Sequence, residues 1–72
     1  MLTITATQEI PVQGTRQVIF TVGAGGQATL QVKNSADVWV DSDVITTSGV
    51  YTLQLGVPIN IVITGAVRVD IQ

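Results

Sequence analysis

Cysteine and histidine are both missing from this chain. Without cysteine no disulfide can brace the fold. Without either residue the usual zinc arrangements are excluded. The loss of histidine also removes the side chain most often used as a general base near neutral pH. Charge is scarce as well: three basic residues (Arg16, Lys33, Arg68) and five acidic ones make up 11% of the sequence and leave a net charge of −2. Three scattered cations are no nucleic-acid footprint, which needs clustered lysine or arginine. No apolar run approaches the roughly 18 residues of a membrane-spanning helix. Met1–Thr5 has no basic stretch leading into an apolar one, so no secretory signal is expected, and synthesis in the cytoplasm of the producing cell is.

What is present is aliphatic. Hydrophobic residues supply 46% of the 72 positions. That suits one domain, whose size lets it bury only about 60% of the surface its unfolded chain exposes. Such a core usually needs a staple, and with disulfides and zinc gone the remaining one is a partner subunit. Sparse charge argues the same way, since a solvated monomer normally carries more. A homo-oligomer, or a chain docked on a larger assembly, is expected.

Period-2 alternation runs through most of the sequence, as half-buried strands require. Leu2, Ile4 and Ala6 alternate with threonines; Val18, Phe20 and Val22 with Gln17, Ile19 and Thr21; Ala28, Leu30 and Val32 with Thr29 and Gln31. Tyr51, Leu53 and Leu55 follow, then Ile59, Ile61 and Ile63, then Val67, Val69 and Ile71. Asp37–Ile45 is β-rich but less regular. Branched side chains dominate, which favours strands. Gly and Pro clusters fall between the runs, giving an all-β expectation: a small antiparallel β-sandwich or barrel of about six to seven strands over residues 1–72. Pro11 cuts the first segment, so residues 1–14 are expected to form an edge strand or an arm reaching a neighbour. A hairpin closed by Gly23–Gln27 would set Val22 against Ala28 and Phe20 against Leu30, both apolar sets on one side. At the last turn, Thr64–Gly65–Ala66 either closes a hairpin or carries the chain between sheets.

Candidate chemistry is thin. Gly23–Ala24–Gly25–Gly26 leads into a strand and lacks the helix and the lysine of a phosphate cradle. Asp37, Asp41 and Asp43 do not complete a calcium loop and read as turn-forming residues. Ser35, Ser42 and Ser48 have no histidine to activate them. No catalytic residue, metal ligand or cofactor is expected, and the chain is read as no enzyme. Ile19, Trp39 and Val62 are apolar on the polar side of their strands. With Leu2 and Ile4 of the first segment they are the candidate interface, although Trp39 equally suits a core position.

From Gly26 onward the pattern resembles a known group. Gly26–Val32, then Trp39–Val40, then Thr47–Leu53 with its Gly49–Val50–Tyr51, then Ile59–Ile71 with its Thr64–Gly65–Ala66 turn, is similar to small β-sandwich structural proteins of tailed-bacteriophage virions. The resemblance implies a head decoration or cement subunit that stabilises the capsid, with a tail or fibre module binding carbohydrate or receptor as the alternative. It also implies the virion as location, the major capsid protein or tail components as partners, and a trimer as the oligomer. Neither nucleic acid nor membrane enters as a partner. Phe20, Leu30 and Ile61 are the expected core, and truncating one of them to Ala, Phe20 for instance, is expected to cost about 2–5 kcal/mol. Thermal denaturation checks this; an unchanged Tm would place Phe20 on the wrong face of its strand.

Overall fold

The alternating aliphatics form eight strands in the computed structural model, which describes residues 2–11 and 14–72 and, of Leu55, the backbone alone. They are β1 (Leu2–Ile4), β2 (Gln8–Ile10), β3 (Gly14–Val22), β4 (Gln27–Lys33), β5 (Trp39–Ile45), β6 (Gly49–Leu55), β7 (Ile59–Thr64) and β8 (Val67–Ile71). Two four-stranded antiparallel sheets, ordered β1-β8-β3-β6 and β2-β7-β4-β5, pack as a sandwich. The strand beyond the expected six or seven is β2. Only Ile10 of its three residues points inward, too short a pattern to register as alternation.

The topology is a ribbon folded double. Leu2 pairs with Ile71, Gln8 with Ile61, Gly14 with Leu55, Ala28 with Ile45 and Lys33 with Trp39. The first half of the chain thus runs antiparallel to the second along its whole length. The ribbon then rolls so that β3 also meets β8 and β4 also meets β7. This is the strand order of a jelly roll, an eight-stranded architecture built from two Greek keys.

The fold of the ribbon lies at Asn34–Val38. Asn34 N–H donates to the Val38 carbonyl (2.9 Å) and Asp37 N–H to the Asn34 carbonyl (3.0 Å). The Asn34 side-chain Oδ1 accepts from the amides of Ala36 and Val38, an arrangement that asparagine favours in turns. Asp37 takes φ 65°, the left-handed position that closes a three-residue hairpin loop.

β4–β5 is the one hairpin between consecutive strands of a single sheet. The hairpin expected at Gly23–Gln27 is absent, because β3 and β4 belong to opposite sheets. The parity of Val22 with Ala28 and Phe20 with Leu30 holds all the same, since two strands facing each other across a core also turn their apolar sets toward one another. At Thr64–Ala66 the chain crosses between sheets as well.

These crossings explain the glycines. Gly23 N–H donates to the Ala66 carbonyl at 2.7 Å, so the β3–β4 and β7–β8 connections pack together at one end of the sandwich. A Cβ on Gly26 would lie 2.6 Å from the Ala66 carbonyl oxygen, and Gly65, at φ +75°, sits against the Gly25 carbonyl. The glycine run therefore contacts its own chain.

Between the sheets lie Ile4, Ile10, Val18, Phe20, Ala28, Leu30, Ile61, Val69 and Ile71, all at most 3% exposed. Phe20, Leu30 and Ile61 are core residues as expected. Tyr51 meets Phe20 edge-on, ring centroids 5.4 Å apart. Among the described residues no polar side chain is buried. Gly26→Ala is expected to destabilise by about 1–3 kcal/mol, the usual cost of forcing atoms into a packed site. Gly56→Ala, where a Cβ meets open space, is expected to leave Tm within a few degrees of wild type. Parallel thermal melts check the contrast.

Candidate interaction surfaces

Because the apolar sets of both sheets point inward, the side chains available to a partner lie on two outer faces, at the ends and along the edges. On the outer face of β1-β8-β3-β6, register places Thr3, Asp70, Ile19 and Val50 in one row across the four strands. Thr3 Oγ1 donates to Asp70 at 2.7 Å. Arg68 Nε reaches the same carboxylate at 3.2 Å. Asp70 consequently titrates below an ordinary aspartate: the Thr3 hydrogen bond is the largest cause, burial opposes it, and Arg68 adds to it. Ile19 is half-buried and Val50 is 63% exposed.

On the outer face of β2-β7-β4-β5, Glu9, Asn60, Gln31 and Asp41 make the corresponding row. The Asn60 amide donates to Gln31 Oε1 (2.9 Å), and the Gln31 amide donates to Asp41 Oδ1 (2.8 Å). Beside this row Lys33 Nζ lies 5.0 Å from the Trp39 ring centroid. The same lysine also reaches Asp37 at 3.4 Å. On the other side of the row come Val62, Thr29 and Val44. Trp39 thus lies outside the core cluster, so its core reading does not hold.

The five sequence candidates do not form one patch. Ile19 is on one outer face; Trp39 and Val62 are on the other, separated by the polar row. Leu2 is half-buried and packs against the core. Ile4 is a correction: at 1% exposure it is a core residue, because inward alternation on β1 turns it toward Val69 and Phe20 rather than toward a neighbour. Both β1 and β2 pair with strands of their own chain, as edge strands. The arm reading of residues 1–14 finds no free arm among the described residues; Met1, Val12 and Gln13 lie outside them.

Sequence reasoning missed several exposed aliphatics. Val38, Val40 and Val57 are 45–54% exposed. Val40 pairs with Val32; Val57 comes two residues before Ile59, which also pairs with Val32; Val38 closes the ribbon turn. All three therefore belong to the end of the sandwich opposite the glycine loops. Val40 shares the inward parity of Val32, and its exposure depends on β5 being an edge strand, which the sequence does not reveal.

The other end carries an open depression of about 460 Å³, lined by Thr5, Thr21, Gly23, Gly65 and Arg68 among others. Its polar groups are two threonine hydroxyls and the Arg68 guanidinium, which is already paired with Asp70. Asp41 accepts from Gln31, Asp37 faces Lys33, and Asp43 is exposed opposite Leu30. Among the described residues no three acidic side chains stand close enough to hold a metal ion. Nor, among the described residues, is there a helix long and apolar enough to cross a membrane.

No protein-family model matches the sequence, and comparison with curated proteins and with solved structures finds no match. The fold thus rests on the strand pairing alone, and function rests on the surfaces.

The Thr3–Asp70 pair gives a pH signature. A carboxyl whose folded pKa is depressed adds stability above its unfolded pKa and loses it as pH falls through the folded value. Thr3→Val is therefore expected to lower Tm at neutral pH, with the deficit shrinking as the pH drops below about 4, where an ordinary aspartate protonates. Melts of both proteins across the acid range check the convergence.

Proposed function

We propose that this chain is a non-enzymatic structural subunit of a tailed-phage particle, a head decoration or cement protein that works by apolar burial at subunit junctions. The observation that carries the reading is the valine end formed by Val38, Val40 and Val57, on a sandwich whose core is already complete without them. Exposed aliphatics at one end of a domain this poor in charge mark a surface that another protein covers. Eight-stranded jelly rolls serve as viral shell domains and also as lectins. The architecture accommodates the reading, while the surface is what argues for it. Its partners would be the major capsid protein or tail components, its place the virion, with no cofactor and no reaction.

A second reading is favoured by one observation. Trp39 stands beside the polar row of Asn60, Gln31 and Asp41, an aromatic next to amide and carboxylate groups, which is a combination suited to sugar hydroxyls. A tail or fibre module binding carbohydrate would use that face and leave the valine end idle.

Quantitative mass spectrometry of purified particles tests the proposal. Hundreds of copies per virion are expected for a head subunit, and a handful for a tail module. Val38→Asp and Val57→Asp are expected to leave the fold intact, since both positions are exposed. Each should reduce particle incorporation about tenfold or more, because an unpaired carboxylate would be buried at the junction. Normal incorporation of both variants, with Trp39→Ala abolishing glycan binding, would replace the first reading by the second.

A further inference from the structure

Four strand edges of the sandwich are open, and three of them are protected. β1 and β2 have three residues each. β5 has seven, but its register to β4 shifts between Leu30 and Gln31, and it carries Asp41 and Asp43. Short length, a bulge and charge are the ordinary means by which a sheet edge is kept from pairing with another chain. β6 has none of these. Its seven residues, Gly49–Val50–Tyr51–Thr52–Leu53–Gln54–Leu55, include no charge and no proline. Its register to β3 runs without a shift from Phe20↔Gly49 to Gly14↔Leu55.

We propose that this edge is the docking site of a second copy of the chain, β6 against β6, about a twofold axis through Thr52. Three features select a second copy. The strand is self-complementary: with Thr52 opposite Thr52 of the second copy, all seven residues find partners. Val50 then meets Gln54, and Tyr51 meets Leu53. A twofold axis normal to the sheet also keeps the inward faces of both copies on the same side. Tyr51 and Leu53, half-buried at the margin of each core, then cover each other's exposed flanks. Lastly, the absence of charge on β6 removes the like-charge repulsion that a self-pairing edge otherwise meets, since every charged residue would face its own kind near the axis. The product is one continuous eight-stranded sheet, β1-β8-β3-β6 joined to its copy. It is a pair, where the phage resemblance implies a trimer. Resting on the assembly role proposed above, this contact would supply the subunit's own homo-oligomeric junction and leave the valine end for the particle.

Thr52 is exposed on the outer face, so replacing it leaves the core untouched. Wild type at micromolar concentration is expected to sediment as a dimer. Thr52→Lys and Thr52→Glu, each alone, place like charges opposite each other at the axis and are expected to weaken association about tenfold or more, while still melting cooperatively. Mixed in equal amounts, the two variants are expected to recover the dimer, which a merely destabilised fold would not do. A monomeric wild type, or a Thr52→Lys variant that associates as tightly as wild type, overturns the proposal. The virion role fails separately: a chain that dimerises through β6 yet is missing from particles sinks that role and keeps the edge contact. An abundant particle component that is monomeric in solution does the reverse.

Discussion

The pairing of each strand in the first half of the chain with its mirror partner in the second half is the constraint on which this sandwich depends. Once the ribbon has turned at Asn34–Val38, the partners of β3, β2 and β1 are fixed in order, outward from the turn. Rolling the ribbon then brings β8 beside β3 and β7 beside β4. The inward side chains of the core then meet the opposite sheet. A one-residue slip anywhere along the ribbon would turn an aliphatic set out to solvent. The aliphatic alternation on both halves penalises that slip at every strand.

The core achieved this way is entirely apolar, and its largest member is Phe20. No buried hydrogen-bonded side chain fixes the packing, so specificity comes from the backbone ladders and the shape of branched side chains. The polar work is done outside. Thr3 and Arg68 hold Asp70 on one outer face; Asn60, Gln31 and Asp41 bridge β7, β4 and β5 on the other. The Thr3–Asp70 and Asn60–Gln31 bonds cross between strands that are distant in sequence, which ties the rolled ribbon laterally.

How much of this could be read from the residues depends on range. Alternation is a local property, so the strands, the inward sets and the core trio Phe20, Leu30 and Ile61 were legible. The partner of each strand is not local. Val22 and Ala28 share a side whether they face each other in one sheet or across two, so parity could not reveal that β3 and β4 lie in opposite sheets. Ile4 was misplaced for a related reason: the proline at position 11 suggested a free arm, whereas β1 ends well before it and takes β8 as its partner. Trp39 sits in the irregular Asp37–Ile45 stretch, and its pairing with Lys33 puts it outside the core. The exposed Val38 and Val57 look in sequence like further core residues. Both lie in connections just outside the strands, Val38 before β5 and Val57 before β7.

The near-complete separation in sequence between paired strands also governs the time course of folding. Loop closure over most of the chain must precede the contacts that reward it, so a jelly roll of this kind folds slowly for its size. During synthesis the consequence is sharper. β1 has only β8 to pair with in its sheet, so it stays unpaired until Ile71 has left the ribosome. β2 waits likewise for β7. The first two strands therefore stay unpaired in their sheets while β4 can already close on β5 and β3 on β6.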